Sequence, residues 1–351
     1  MVIGIIGAGI SGLTAGRMLA GAGHEVTIFE KSRGYGGRMA TRYAGKNLGS
    51  KMDHGLSNFE VKSDEFLEFT EELLEKGLIQ KWGRKFASFD GDKLLESTPN
   101  ISSGPLYTST KGMNEIGKYL SRWVDIRTET KVGGLTYFGT NRSKKRSWMI
   151  NLTSSETFGA DAVILALPAP QAYGILGMAR DETNTLKIIR QIDEVSYKQT
   201  YSLMVGFDSQ DVPEWEGVIC QNSALEFISN EALKRESQEC SFVLHATESF
   251  TKEYKNKNEE TVIRKMLDEF VKVVGDRAVS PKWNQLHFWR YSRAKKIINS
   301  PYLELEDEDA PLALVGDFLQ GNTVDDAYRS AHLLATDWIK KFKNKVHIPI
   351  E

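Results

Sequence analysis

The sequence predicts an α/β chain in which a parallel sheet is interrupted by a second domain of different strand character. Three observations predict it. An apolar run, Val2-Ile3-Gly4-Ile5-Ile6, leads directly into Gly7-Ala8-Gly9-Ile10-Ser11-Gly12, a GxGxxG turn. A small-residue helix over 13–22 and an apolar strand over 25–29 follow, and that strand ends in Glu30. Apolar strands of the same kind return at 161–168 and 312–317, while the stretches between them alternate apolar and polar residues.

Each part of the opening unit has a mechanical reason. A strand apolar on both faces suits the centre of a parallel sheet. Gly7 permits the tight turn, Gly9 lets backbone approach a pyrophosphate, and Gly12 lets the helix pack closely. The helix start, at Ile10 and Ser11, aims free N–H groups at phosphates. Glu30 stands where a carboxylate takes the hydroxyls of an adenosine ribose, and it repels a 2′-phosphate. The unit therefore predicts dinucleotide binding.

The chain has 351 residues, enough for two domains, and a net charge of −2. That charge gives no field to draw in nucleic acid or an anionic membrane. The basic cluster Lys144-Lys145-Arg146 and the acidic run over 304–309 read as exposed turns. The two cysteines, Cys220 and Cys240, have no CxxC or metal-ligand spacing, and the six histidines form no HExxH cluster. No metal site and no disulfide framework are expected, and a reducing, cytoplasmic setting fits. No run of roughly 18 apolar residues marks a membrane span. The opening run lacks a basic segment before it, so the mature chain is read as starting at Met1.

Taken in order, Ser63 offers an N-cap for a helix that stops near Gly77, with Phe66, Leu67, Phe69, Leu73 and Leu74 as its apolar stripe. Residues 80–99 read as antiparallel strands, the first visit to the second domain. A helix from Met113 to near Trp123, a short strand over 126–130 and a β-meander over 132–152 follow. The strand over 161–168 returns the chain to the parallel sheet, and a helix starts near Ala169. Strands are expected at 200–207, 217–221, 240–247 and 286–291. A long helix is expected over 259–274, with apolar positions at Val262, Ile263, Met266, Leu267, Phe270 and Val271. The last helix runs over 324–342. The dinucleotide domain is thus discontinuous, over 1–60, 107–178 and 300–351. The substrate domain takes 61–106 and 179–299.

Two features favour FAD over a nicotinamide cofactor. Gly36-Gly37-Arg38 lies just past the second strand, where backbone can approach the pyrophosphate and an arginine can neutralise it. Gly316-Asp317 ends a late strand, where a carboxylate can accept from a ribityl hydroxyl. With these residues in place, the chain resembles the flavin amine-oxidoreductase superfamily, and within it the renalase-like branch. The resemblance is carried by 36–42 (Gly-Gly-Arg-Met-Ala-Thr-Arg), Asp53-His54-Gly55, the strand over 161–168 with Ala169-Pro170-Gln171, Phe288-Trp289-Arg290-Tyr291 and Gly316-Asp317. It implies a glutathione-reductase-type FAD-binding Rossmann domain with an inserted α+β substrate domain, p-hydroxybenzoate hydroxylase-like. Carried over, Gly7, Gly9, Ile10, Ser11 and Gly12 hold the pyrophosphate and Glu30 the ribose, with Lys31 starting the next loop. Gly37, Arg38 and Arg42 flank the phosphates and flavin. The Val132 backbone meets the adenine, Asp317 the ribityl chain, and Val324, with the rest of the last helix start, the flavin pyrimidine.

Two departures stand out. Leu56-Ser57-Asn58 replaces the branch's usual Ala-Gln-Tyr. Asp325-Asp326 replaces the usual acid–glycine pair, and the spacing from Thr323 to Asp326 predicts a capping box that turns Asp326 away from the flavin.

The resemblance implies oxidation of isomeric dihydro-NAD(P), a small-molecule substrate, by dioxygen to give NAD(P)⁺ and hydrogen peroxide. Such chemistry needs placement rather than a general base. This suits a chain without a Ser/His/Asp or paired-carboxylate constellation. Candidate placement residues are Trp289, Arg290, Tyr291, Asn58 and His245. Trp289 would wall the flavin and Arg290 attract a phosphate. The alternatives are a flavin amine oxidase, a desaturase or protoporphyrinogen-oxidase type of enzyme, and a flavoprotein without turnover. Thr323 stands where amine oxidases of this superfamily place a cage ring, which argues against an amine. The oligomeric state is not legible.

Overall fold

The structure is a computed structural model. It describes residues 1–45, 48–83, 85–95, 104–138, 146–179, 185–208, 212–235, 239–275, 280–305 and 310–345. Lys144 and Lys145 of the basic cluster, 306–309 of the acidic run, and 84 and 96–99 of the expected antiparallel stretch lie outside them.

The opening strand, Val2–Ile6, sits inside a six-stranded sheet. It pairs in parallel with Glu25–Phe29 on one side and Ala162–Leu165 on the other. Asp125–Arg127 and Leu312–Leu314 extend the parallel order, and Leu303–Glu304 closes one edge antiparallel. Alternation divides the apolar residues between two cores. Ile3 and Ile5 pack under the helix Ile10–Gly21 and the last helix, Val324–Lys341. Ile6 faces the three-stranded meander of Val132–Tyr137, Trp148–Leu152 and Thr157–Ala160. Gly4 faces it too, and a Cβ there would stand 2.2 Å from Ile150 Cδ1. The result is a layered dinucleotide-binding unit drawn from both ends and the middle of the chain.

The second large sheet has seven strands. Its longest pairing is between the edge strand Trp283–Ala294 and the next strand in, Tyr197–Phe207, whose other neighbour is Cys240–Ala246. One face, carrying Tyr201, Leu203 and Val205, is covered by the helix Glu259–Val274. That helix is capped by Asn258, whose side chain accepts the Thr261 N–H, and it stops at Gly275 with φ +77°. The other face turns Met204 and Val243 toward Ala44 and Met52, on the hairpin just past the second glycine cluster. The two sheets therefore meet along residues 42–55.

Several expectations shift. The first helix begins at Ile10, inside the glycine motif, because Gly9 is extended and acts as its N-cap. Phe86–Phe89 runs parallel to Gly217–Cys220, so the first visit to the second sheet is not purely antiparallel. Gln80–Trp82 belongs to a separate small sheet with Leu106–Thr108. The strand expected over 286–291 runs the full length Trp283–Ala294, since its register with Tyr197–Phe207 continues at both ends. Leu225–Asn230, a strand that alternation did not expose, completes the sheet between two partners.

Candidate active site

The two glycine clusters fold onto each other. Gly9 and Gly36 form an isolated parallel bridge, and the Gly36 N–H donates to the Ala8 carbonyl at 2.7 Å. Gly7 has φ +105°, and a Cβ there would meet the Ala166 carbonyl at 2.5 Å. A Cβ on Gly12 would lie 2.0 Å from the Gly7 carbonyl oxygen, so that glycine closes the turn on itself. Gly9 differs: a Cβ there would meet nothing within 4 Å. Space is open where a phosphate would approach. The helix behind it has no side-chain cap and no acid in its first turn, which leaves its positive end unneutralised.

Glu30 is buried at the end of the second strand. Its carboxylate accepts the Ala8 N–H and the Ser32 N–H, each at 2.9 Å. Each oxygen keeps a further acceptor position for a ribose hydroxyl. The Glu30 N–H donates to the Arg127 carbonyl, and the Thr130 N–H to the Glu30 carbonyl, at 2.9 and 2.8 Å. This ties Glu30 to the segment that leads into Val132. Lys31 is exposed. Ser11 turns inward, donating to the Ala327 carbonyl at 2.8 Å.

Arg38 and Asp317 meet each other. The guanidinium donates two bonds to the buried carboxylate, both at 2.7 Å, and a third at 2.9 Å to the Ser292 carbonyl. One bidentate pair thus links the second glycine cluster, the last parallel strand and the second sheet. At the last helix the capping box forms. Asp326 accepts from the Thr323 N–H at 2.9 Å and the Asn322 N–H at 3.1 Å, and its own N–H donates to the Thr323 hydroxyl. Asp325 accepts the Lys62 and Ser63 N–H groups at 2.7 and 3.0 Å. Both carboxylates are engaged by backbone, and Val324, between Thr323 and Asp325, is half-buried.

Beside the glycine clusters stands a wall of rings. Trp289, His287 and His54 are in mutual contact, with centroids 4.4 to 5.0 Å apart. The Trp289 indole N–H donates to the His54 carbonyl at 3.0 Å. Gly55 is pressed between them: a Cβ there would lie 2.2 Å from the Arg38 carbonyl and 2.9 Å from the Trp289 ring. Arg42 Nη2 lies 3.5 Å from His287 Nδ1. His245 sits two strands across, joined through Ser202, whose hydroxyl is 3.0 Å from its Nδ1. Burial holds all three imidazoles well below their ordinary range, with neighbouring positive groups adding to it. His54 falls to about 3, His245 to about 4 and His287 to about 4. They are neutral at pH 7. Tyr291 packs edge-on against Tyr197 at 5.5 Å, and the Tyr197 hydroxyl accepts the Ala169 N–H. Arg290 is exposed, and as a strand neighbour of Trp289 it takes the opposite face. Asn58 is half-buried and donates to the Ser57 hydroxyl.

Sequence reasoning missed His287 and gave His54 no role. The period-2 series His287, Trp289, Tyr291 was the available signal. It also missed a buried charge quartet beneath the wall. Asp53 accepts from Lys234 at 3.0 Å and Arg235 at 2.7 Å, and Glu231 accepts from Lys234 at 3.1 Å and from Arg235. Asp53, Glu231 and Lys234 have side chains 0 % exposed. Asp53 also takes the Thr41 hydroxyl at 2.6 Å and the Met113 N–H at 3.0 Å. The quartet thus holds Thr41 and Asp53, the residues just before Arg42 and His54.

A family described as flavin containing amine oxidoreductase matches residues 85–338. A NAD(P)-binding Rossmann-like domain matches residues 5–73. A 39-residue stretch is 59% identical to 4,4′-diapophytoene desaturase (4,4′-diaponeurosporene-forming) of Staphylococcus aureus, covering 11% of this chain and 8% of the desaturase. Cyclohexylamine oxidase from Brevibacterium oxydans aligns over 97% of this chain and 99% of its own, with a TM-score of 0.75 and 13% identity. An oxidoreductase from Methanosarcina mazei aligns over 96% and 100%, with a TM-score of 0.68 and 13% identity. At that identity the two structures bear on the fold alone. Among the described residues no helix is long and apolar enough to cross a membrane.

Proposed function

From the premise that this chain belongs to the flavin-containing amine oxidoreductase family, we propose that it oxidises isomeric dihydro-NAD(P) with dioxygen, in the renalase-like manner. The enzyme is an FAD-dependent oxidoreductase, and its residues fit that cofactor. The open approach to Gly9, the uncapped helix start, the exposed Gly37 and Glu30 at the strand end are what a dinucleotide needs. Gly7 to Gly12 and Gly37 would hold the diphosphate, with Arg38, Arg42 and the Val132 backbone alongside. Glu30 would hold the ribose, and Asp317 would hold the ribityl chain. When bound, FAD supplies an acceptor for a hydride and a route for both electrons to dioxygen.

The observation that carries the substrate reading is the wall itself. Trp289, His54 and His287 present flat, neutral rings, and no carboxylate pairs with Arg42 among the described residues. A cationic amine would find no counter-charge there. A dihydronicotinamide carries no proton that must be removed with its hydride, so the wall has only to stack and place it. The substrate loses a hydride and becomes aromatic, and that hydride with one proton from water appears in hydrogen peroxide. The finer architecture belongs to the same proposal: a glutathione-reductase-type FAD unit over 1–60, 107–178 and 300–351, and a p-hydroxybenzoate hydroxylase-like insertion over 61–106 and 179–299. Membership of the two large sheets supports it for 86–95 and 197–294, while the helix Asp64–Glu75 instead packs Phe66, Phe69 and Leu73 into the core of the parallel-sheet unit. A cytoplasmic setting is proposed with it.

An amine oxidase is the second reading, favoured by the family. A desaturase has only the opening match behind it. The FAD-loaded enzyme should release NAD(P)⁺ and hydrogen peroxide in equal amounts from isomeric dihydro-NAD(P). Peroxide from amines with no turnover of the dihydronicotinamides would overturn the reading.

A further inference from the structure

We infer that the outer side of the helix Glu259–Val274 is a self-recognition surface, on which a second copy of this chain docks the same helix antiparallel. The helix carries two apolar stripes. Val262, Met266, Phe270 and Val273 are buried against the seven-stranded sheet. Ile263, Leu267 and Val271 repeat at i, i+4 and i+8, touch the edge of that core and stay only half-buried. An amphipathic helix needs one stripe to hold it to its sheet, so the second is surplus to that attachment. It borders a groove of about 490 Å³, lined also by Glu260, Arg264, Asp268 and Asn284. Leu286 and Phe288 of the edge strand pack into the same core as the helix, so His287 and Trp289 alternate to the opposite face. The surface therefore lies on the far side of the sheet from the wall of rings.

What identifies the partner is the row of charges beside the second stripe. Glu260, Arg264, Asp268 and Lys272 follow one another at four-residue steps, all exposed, with alternating sign. Alternation at that spacing can serve a helix through its own i,i+4 pairs. Here the ion pairs within the helix are Lys265 with Asp268 at 3.7 Å and Lys272 with Glu269 at 2.5 Å, both at three-residue steps. Among the described residues Glu260 and Arg264 have no ion-pair partner. The row is its own complement when reversed. Against a second copy running the opposite way, Arg264 meets Asp268 and Glu260 meets Lys272, so every contact joins opposite charges. With the row one residue out of step, as a row flanking an antiparallel seam is, the same arrangement sets Leu267 on Leu267 and Ile263 on Val271. Parallel pairing in register would put like charges together. Charged rows beside an apolar seam select partner and direction in this way. Lys265, Asp268 and Lys272 are each about half-exposed, so exchanging their local pairs for contacts across the seam costs little.

The test is sedimentation equilibrium of the full-length, FAD-loaded protein across a concentration series. A seam of about three and a half helical turns is at the low end of specific interfaces, so a dimer with a Kd on the order of 10 μM is expected, weakened by salt. Arg264→Asp sets two carboxylates against each other at both symmetry-related contacts and should weaken the dimer at least tenfold. Adding Asp268→Arg to it reverses the central pair and should restore the Kd to within about threefold of wild type. Leu267→Lys should abolish the dimer. Thermal melting and flavin content check that each variant is folded. If Leu267→Lys does not fold, the two exposed charge variants decide the matter. A chain that stays monomeric throughout the series would overturn the inference and leave the groove to a different partner. A dimer that Arg264→Asp leaves unchanged, or that the double reversal fails to restore, would overturn it too, because self-association would then use another surface.

Discussion

Buried charge and buried neutral imidazole stand side by side at this site, and each makes a distinct prediction. Asp53→Asn leaves Lys234 and Arg235 against a single buried carboxylate. Breaking such a group on one side should cost about 3–5 kcal/mol, read from urea unfolding. Adding Lys234→Met restores neutrality and should return part of it. A loss under about 1 kcal/mol for the single variant would contradict the role given to the quartet. The histidines predict a pH effect. His54, His245 and His287 have folded values near 3, 4 and 4, chiefly through burial, against about 6.5 in an unfolded chain. The unfolded chain therefore binds more protons between roughly pH 6.5 and 4, and stability falls as pH falls through that window. The slope is at most about 1.4 kcal/mol per unit for each histidine, and less for the partly exposed His287. His54→Phe should flatten it, which urea midpoints at pH 7 and 4.5 will show. An unaltered slope would refute the assignment. None of this was legible from sequence. Asp53 and Lys234 are 181 residues apart, and nothing local marks either as a partner.

The element scale is where sequence reading did best, because the constraints are local. Gly12 is set by a contact within the motif, against the Gly7 carbonyl oxygen, so it could be assigned before any fold was known, whereas Gly7 also answers to the distant Ala166 carbonyl. Gly12→Ala puts a methyl 2.0 Å from the Gly7 carbonyl oxygen. The turn must open, and a loss of about 1–3 kcal/mol with weakened FAD retention is expected, measured by thermal melting and flavin release. Wild-type retention would show that the turn yields easily. The capping box was equally readable from Thr323 and Asp326. Asp326→Ala removes the carboxylate that holds the Asn322 and Thr323 N–H groups, and should cost about 0.5–2 kcal/mol. Chemical denaturation checks this, and no change would mean the last helix start is held by tertiary packing alone. Helix and strand ends drifted where a cap was backbone only, as at Gly9. The parallel pairing of Phe86–Phe89 was hidden because its partner lies over a hundred residues away, beyond what alternation can reveal.

For the whole molecule, the chief consequence of the topology is that two sheets meet along residues 42–55. The parallel sheet brings the glycine clusters, Glu30 and Asp317 to one region. The seven-stranded sheet brings Trp289, His287 and His245 to a face that looks toward that region. The dinucleotide half was legible because phosphate binding leaves a compact motif in sequence. The wall was legible only in part, as Trp289: His287 lies two residues before it on the same strand, a period-2 step open to reading, while His54 comes from a turn that only the fold places beside that strand. The central claim is that this wall presents a dihydronicotinamide, not an amine, to FAD. It is tested most directly by mixing the FAD-loaded enzyme anaerobically with isomeric dihydro-NAD(P) and, separately, with benzylamine and a catecholamine. Rapid bleaching of the flavin by the dihydronicotinamides and little response to the amines is the predicted result. Bleaching by the amines alone would contradict it.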